Sequence, residues 1–201
     1  MPDNIPQRVM LIALGTLLVA LAWPGAARAQ TVSGQARAVQ TIVSGAFGPA
    51  TTTLSDTGTL AGAGDARQAS QLAGSVPSLV TGGVLHATTI GWSDEVDSEA
   101  SLADLALTVA GNTIGADFVM ARARAIVGAS IVGLVNIDNL SINGVPIAVT
   151  GSANQVLVIP GGRVVINEQL ASPTGTVVNA LHIAVDGVAD VVIASATAGV
   201  Q

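Results

Sequence analysis

The stretch Gly162–Gly199 constrains the fold more than any other part of the chain. It reads GRVVINEQLASPTGTVVNALHIAVDGVADVVIASATAG, with apolar residues recurring at every second position and a break at Asp186-Gly187. A period of two puts successive side chains on opposite faces of a β-strand. Asp-Gly between two such runs, Thr176–Val185 and Val188–Ala198, is a hairpin signal. Two more lie just upstream. Asn143-Gly144 interrupts Ile137–Thr150, and Pro160-Gly161-Gly162 separates Gln155–Ile159 from Arg163–Asn167. A two-residue turn at Asn143-Gly144 pairs Ile142 with Val145 and Leu140 with Ile147, their apolar side chains on one face. Pro146 then belongs at an edge or a bulge, because it has no N–H to donate. Hairpins this close together predict antiparallel meanders in an all-β, antiparallel β-sandwich, with an irregular β-barrel or prism as the alternative. No fixed-period repeat marks a solenoid.

Upstream the pattern is looser. Val32–Val43 and Leu79–Ile90 read as strands, the second interrupted by Gly82-Gly83. Thr51–Gly64, rich in Thr and Gly, reads as a loop. Asp65–Ala73 reads as one helical turn. Ser93–Glu99 (SDEVDSE) reads as an acidic connection. Leu102–Val109 alternates, with Leu105, Leu107 and Val109 on one face. In Asp117–Ile126, Phe118, Met120, Arg122 and Arg124 share one side, and Val119, Ala121, Ala123 and Ala125 the other. Ala194, Ala196 and Ala198 form a second row of small residues. The two rows suit either a tight core, where layers approach closely, or a flat exposed surface.

Residues 1–29 have the form of a Sec leader: Arg8, an apolar run from Val9 to Ala22, Pro24-Gly25, and Ala27-Arg28-Ala29. That predicts cleavage before Gln30. The run has 14 residues, short of the ~20 that span a bilayer. Without Asp3, Arg8 and Arg28 the remainder holds 12 acidic residues and 5 arginines, a net charge of −7, and no lysine. Such a surface does not neutralise phosphates, which argues against nucleic acid and anionic membranes as partners. Cysteine is absent, which excludes disulfides, thiol nucleophiles and thiolate metal sites. Beyond the leader the aromatic residues are Phe47, Trp92 and Phe118. Aromatic platforms for sugars or peptides are correspondingly scarce.

On Val165–Gln169 (VINEQ), Val178–Ile183 (VNALHI) and Ala189–Ala196 (ADVVIASA), the chain resembles the choice-of-anchor P group of exported bacterial proteins. Ser101–Ala110, Gly115–Ala125 and Ser141–Val149 extend the likeness over most of residues 30–201, read as a single β-rich domain. The resemblance implies a secreted or cell-surface location and no established molecular activity. Members often carry a sorting tail after this domain. Here Gln201 follows Gly199 with no hydrophobic tail, basic stop or LPxTG-like motif, so the expectation is release to the periplasm or the outside without an anchor.

Four features are candidate sites. Asp94, Glu95, Asp97 and Glu99 are hard oxygen ligands suited to calcium, though without the spacing and glycine of an EF-hand loop. The plainer reading is a solvated acidic loop. Asn167, Glu168 and Gln169 stand where a strand enters the loop Leu170–Gly175, to organise it or to line a pocket. His182 comes opposite Asp190 if Val185–Gly187 is a three-residue loop, and a His–Asp pair can orient a general base. A one-residue register change breaks that pairing, and no G-x-S-x-G nucleophile elbow is present. His86 and His182 have no zinc-like spacing. Trp92 reads as a plug at a strand end or as a ligand platform.

The functional expectation is an exported, non-enzymatic β-domain with a structural or adhesive role and no cofactor. Its partners would be cell-envelope or matrix components, without stable membrane insertion. Alternatives are a calcium- or ligand-binding module and, further off, a hydrolase using His182 with Asp190 or Glu168. With no lysine to guard strand edges, self-association into oligomers or fibres is also expected.

Overall fold

The computed structural model describes residues 31–201. The leader-like segment and the expected cleavage before Gln30 lie outside them. Among the described residues there are thirteen strands: β1 Val32–Gly45, β2 Gly48–Asp56, β3 Ala66–Val76, β4 Val80–Gly91, β5 Glu95–Val109, β6 Asn112–Ile126, β7 Val132–Asp138, β8 Ser141–Ile142, β9 Val145–Pro146, β10 Gln155–Ile159, β11 Gly162–Ser172, β12 Gly175–Val185 and β13 Ala189–Val200. They form two open antiparallel sheets, the sandwich the alternation predicts. Sheet A runs β10-β11-β12-β13-β1-β2. Sheet B runs β3-β4-β5-β6-β8-β9, with β7 also on β6. Thr31 and Gln201 exchange backbone hydrogen bonds at 2.9 Å each way, at the end of the β1–β13 pairing inside sheet A.

The two alanine rows settle into the tight core. Ala121, Ala123, Ala125, Ala194, Ala196 and Ala198 are all buried, and β13 packs across β5 and β6. Methyl side chains let facing sheets come close. Larger residues, including Leu102, Leu107, Leu181 and Ile193, fill the rest.

Alternation does not run unbroken along these strands. In sheet A every strand pair from β11 to β2 skips one position at the same level: Asn167, Ala180, Ala194, Ala38 and Ser55 are left unpaired, with the register the same on either side. Asn167, Ala194 and Ser55 have φ of 52°, 50° and 48°. Sheet B has a matching line through Val84, Asp104 and Asn139, at 47°, 51° and 54°. A left-handed residue inserted in a strand reverses which face the next side chain takes. Thus β5 buries Val96, Ser98, Ala100 and Leu102 before Asp104, and Leu105, Leu107 and Val109 after it. In β12, Val178 and Ala180 point inward, followed directly by Leu181 and Ile183. The face assigned to Leu105, Leu107 and Val109 is correct, but it continues through Leu102 only because of this reversal.

Two expectations fail at the edges. Asp65–Ala73 is not a helical turn: β3 runs through it. Thr51–Gly64 is not all loop, because β2 occupies its first part. Both are edge strands, and Gly48–Thr53 is exposed on both faces. A strand that buries neither face has no reason to alternate. The Asn143-Gly144 hairpin does pair Ile142 with Val145, and Ile147 donates to the Leu140 carbonyl.

Six hairpin turns gather at one end of the sandwich. Ser44 N–H donates to the Val188 carbonyl, Asp186 N–H to Gly161, the Asn112 side chain to Pro160, and Asn143 N–H to Thr113. Val76–Leu79 and Thr108–Ala110 line a shared hollow with Val43 and Val188.

Candidate functional site

The register reversal assembles a polar cluster on the outer face of sheet A. On β12, Asn179 lies on one side of the line and His182 on the other, with Ala180 and Leu181 both turned inward. The two outward side chains are therefore close neighbours. Glu168 of β11 pairs directly with Asn179. Its carboxylate accepts from Asn179 Nδ2 at 2.7 Å and lies 2.9 and 3.0 Å from His182 Nδ1. His182 Nε2 lies 2.9 Å from Asp190 Oδ2 on β13. One imidazole thus ties three adjacent strands together.

Both ring nitrogens face carboxylate oxygens, an arrangement that favours the doubly protonated imidazolium. Burial opposes the charge. The hydrogen bonds to Asp190 and Glu168, with their negative charges, outweigh it and hold the His182 pKa above the ordinary histidine value. A general base needs a free ring nitrogen. While the ring is doubly protonated neither nitrogen is free, and in that state the cluster ties β11, β12 and β13 together. Asn179 Oδ1 is buried without a protein partner. The pairing with Asp190 differs in detail from expectation. The loop is Asp186–Val188, so Val192 lies opposite His182 and Asp190 opposite Ala184. That displacement is two positions, which preserves the face, and Asp190 reaches the ring diagonally.

Asn167 and Gln169 organise a different segment from the one expected. Asn167 Nδ2 donates to the Gly151 carbonyl at 3.1 Å, and Gln169 N–H donates to Asn154 Oδ1 at 2.9 Å. They pin the approach to β10 rather than the loop Leu170–Gly175. The Gln169 side chain bonds Asn167 and lies against Gly133 of β7.

The acidic run is mostly strand rather than loop. Asp94 sits in the turn before β5, its carbonyl accepting from Val127 N–H. Glu95, Asp97 and Glu99 follow on β5, opposite to buried Val96, Ser98 and Ala100. Same-face strand residues stand about 7 Å apart, too far to close on one calcium ion without other ligands. Arg122 holds Asp97 through two hydrogen bonds, one of 2.8 Å, and Arg124 Nε is 2.6 Å from Glu95. No group of three or more His, Asp or Glu side chains among the described residues is arranged to hold a metal ion. His86 Nδ1 bonds Ser70 Oγ at 2.8 Å on the outer face of sheet B. Trp92 does not plug the core: it is about half exposed, and its backbone N–H donates to the Glu95 carbonyl.

Comparison with protein-family models, with curated proteins and with solved structures finds no match for this chain.

Proposed function

We propose that the chain is an exported β-sandwich of the choice-of-anchor P type that works by contact rather than by catalysis, in a structural or adhesive role at or beyond the cell envelope. The observation that carries this is the end where the hairpin turns gather. Its tips are Ala46-Phe47, Pro77–Leu79, Ala110-Gly111, Asn143-Gly144, Pro160-Gly161 and Asp186–Val188, and Asp186 is their one charged residue. Phe47 stands there fully exposed. A surface of turns with a single charge and a bare aromatic ring suits adhesion to another surface. The leader-like form of residues 1–29 supports export.

The test follows the full chain in a bacterial host. N-terminal sequencing of the form recovered from periplasm or medium should begin at Gln30. That form should cosediment with isolated cell envelopes, and Phe47→Ser should lower the bound fraction several-fold. Full-length chain retained in the cytoplasm, or no cosedimentation, would overturn the proposal.

A further inference from the structure

The fold leaves one strand edge open in a way the others are not. β10 has only five residues and runs into Pro160; β9 has two, one of them Pro146; β7 folds against β11 and β12; β3 carries Arg67 and an unpaired position, Leu72, opposite Val84. Each of these is a recognised way of blunting an edge. β2 differs. Its pairing with β1 is unbroken from Val39↔Leu54 to Gly45↔Gly48. Residues 38–55 carry no charge, and Thr51–Thr53 is a run of β-branched residues. Gly48–Thr53 is exposed on both faces; beyond it Leu54 lies against Gly74 of β3.

The hydrogen-bonding phase of this edge can be read from the backbone. Ser44 N–H donates to Val188, away from β2, so Ser44↔Pro49 is a pair without mutual hydrogen bonds. Pro49 accordingly directs its missing donor to the free side, at no loss to the β1 ladder. By the period of two, Thr51 and Thr53 also direct N–H and C=O to the free side, whereas Thr52 bonds β1.

We infer that β2 pairs antiparallel with β2 of a second copy about a two-fold axis at Thr52, joining the two A sheets into one. The inference rests on the contact role proposed above and names its partner. A second copy is the occupant for two reasons. An antiparallel edge is complementary to itself under a two-fold, Thr51 of each copy meeting Thr53 of the other. The chain is also acidic overall, at −6, so two copies meet without like-charge contact where neither carries charge.

Light scattering across a concentration series, on the protein recovered after export, should show a monomer–dimer equilibrium. Thr51→Pro removes a free-side donor and leaves the β1 ladder whole; Thr53→Lys guards the edge. Each should weaken dimerisation at least tenfold with unchanged circular dichroism. Hydrogen exchange on the unaltered chain gives a second readout that needs no variant. The Thr51 and Thr53 amides should gain protection as concentration rises, while Thr52 stays protected throughout. A monomer at every concentration, or a dimer indifferent to both variants with no such exchange pattern, overturns the inference. Export and envelope binding are scored separately, so a monomer that still cosediments removes the dimer alone.

Discussion

Replacing His182 by glutamine should destabilise the domain strongly at pH 6 and much less at high pH. The imidazolium makes two charge-assisted hydrogen bonds of different worth. Glu168 is only 12% exposed, and losing its partner should cost about 1.5–3 kcal/mol. Asp190 is 46% exposed, and its contact should add at most about 1 kcal/mol after screening by water. Together these give about 2–4 kcal/mol. At about 2–4 °C per kcal/mol for a domain of this size, the melting temperature should fall by roughly 5–15 °C. Because the folded-state pKa of His182 is raised, its stabilisation is fully present below the unfolded value and is lost as pH rises through the folded one. Above that point the ring donates to one carboxylate only. Scanning calorimetry of both proteins from mildly acid to alkaline pH should show the gap closing as pH rises. A gap that widens with pH would mean a lowered pKa and a histidine free to act as a base, and would refute the tie between the three strands.

Other outcomes follow from geometry alone. Val84 is exposed yet β-branched at a φ of 47°, so Val84→Asn should raise stability by about 1 kcal/mol in urea unfolding; a loss would mean the strain is absent. Gly162→Ala would place Cβ 2.1 Å from the Ala184 carbonyl oxygen and should cost at least about 2–3 kcal/mol by the same assay. Millimolar calcium should leave the melting temperature unchanged, since Glu95 and Asp97 already face arginines; a rise of several degrees would restore a calcium site.

The parts of the fold that could be read from sequence are those where one strand face is buried and the other wet. Asn143-Gly144, Asp186-Gly187 and the inward row Val119–Ala125 belong to that class. β2 was illegible because an edge strand exposed on both sides leaves no alternation, and β3 because its half-buried face, Arg67, Ala69, Gly74 and Val76, is too mixed to read as an apolar row. The reversal lines were illegible for another reason. Left-handed φ normally announces itself through glycine, and here it falls on Val84, Asp104, Asn139, Asn167 and Ala194, among others. An apolar spacing of three within a strand, as at Leu102 and Leu105, is the trace it leaves. In the candidate site, His182 and Asp190 could be linked in advance. Glu168 could not be placed at Nδ1, because its position depends on the break at Asn167 and Ala180. The acidic run misled in the opposite way. Its partners Arg122 and Arg124 lie more than twenty residues downstream and meet it only through the β5–β6 pairing.

The pairing of β1 with β13 also orders events in time. β1 is made first, yet one of its two neighbours in the sheet is the last strand of the domain, Ala189–Val200. A growing chain can form the β1–β2 hairpin early, but sheet A stays divided until the final residues arrive. Such long-range closure slows folding. A chain built this way remains open while it is being synthesised, the state in which a polypeptide can be threaded end-first through a narrow pore. It becomes a closed body only when its last strand is delivered beside its first.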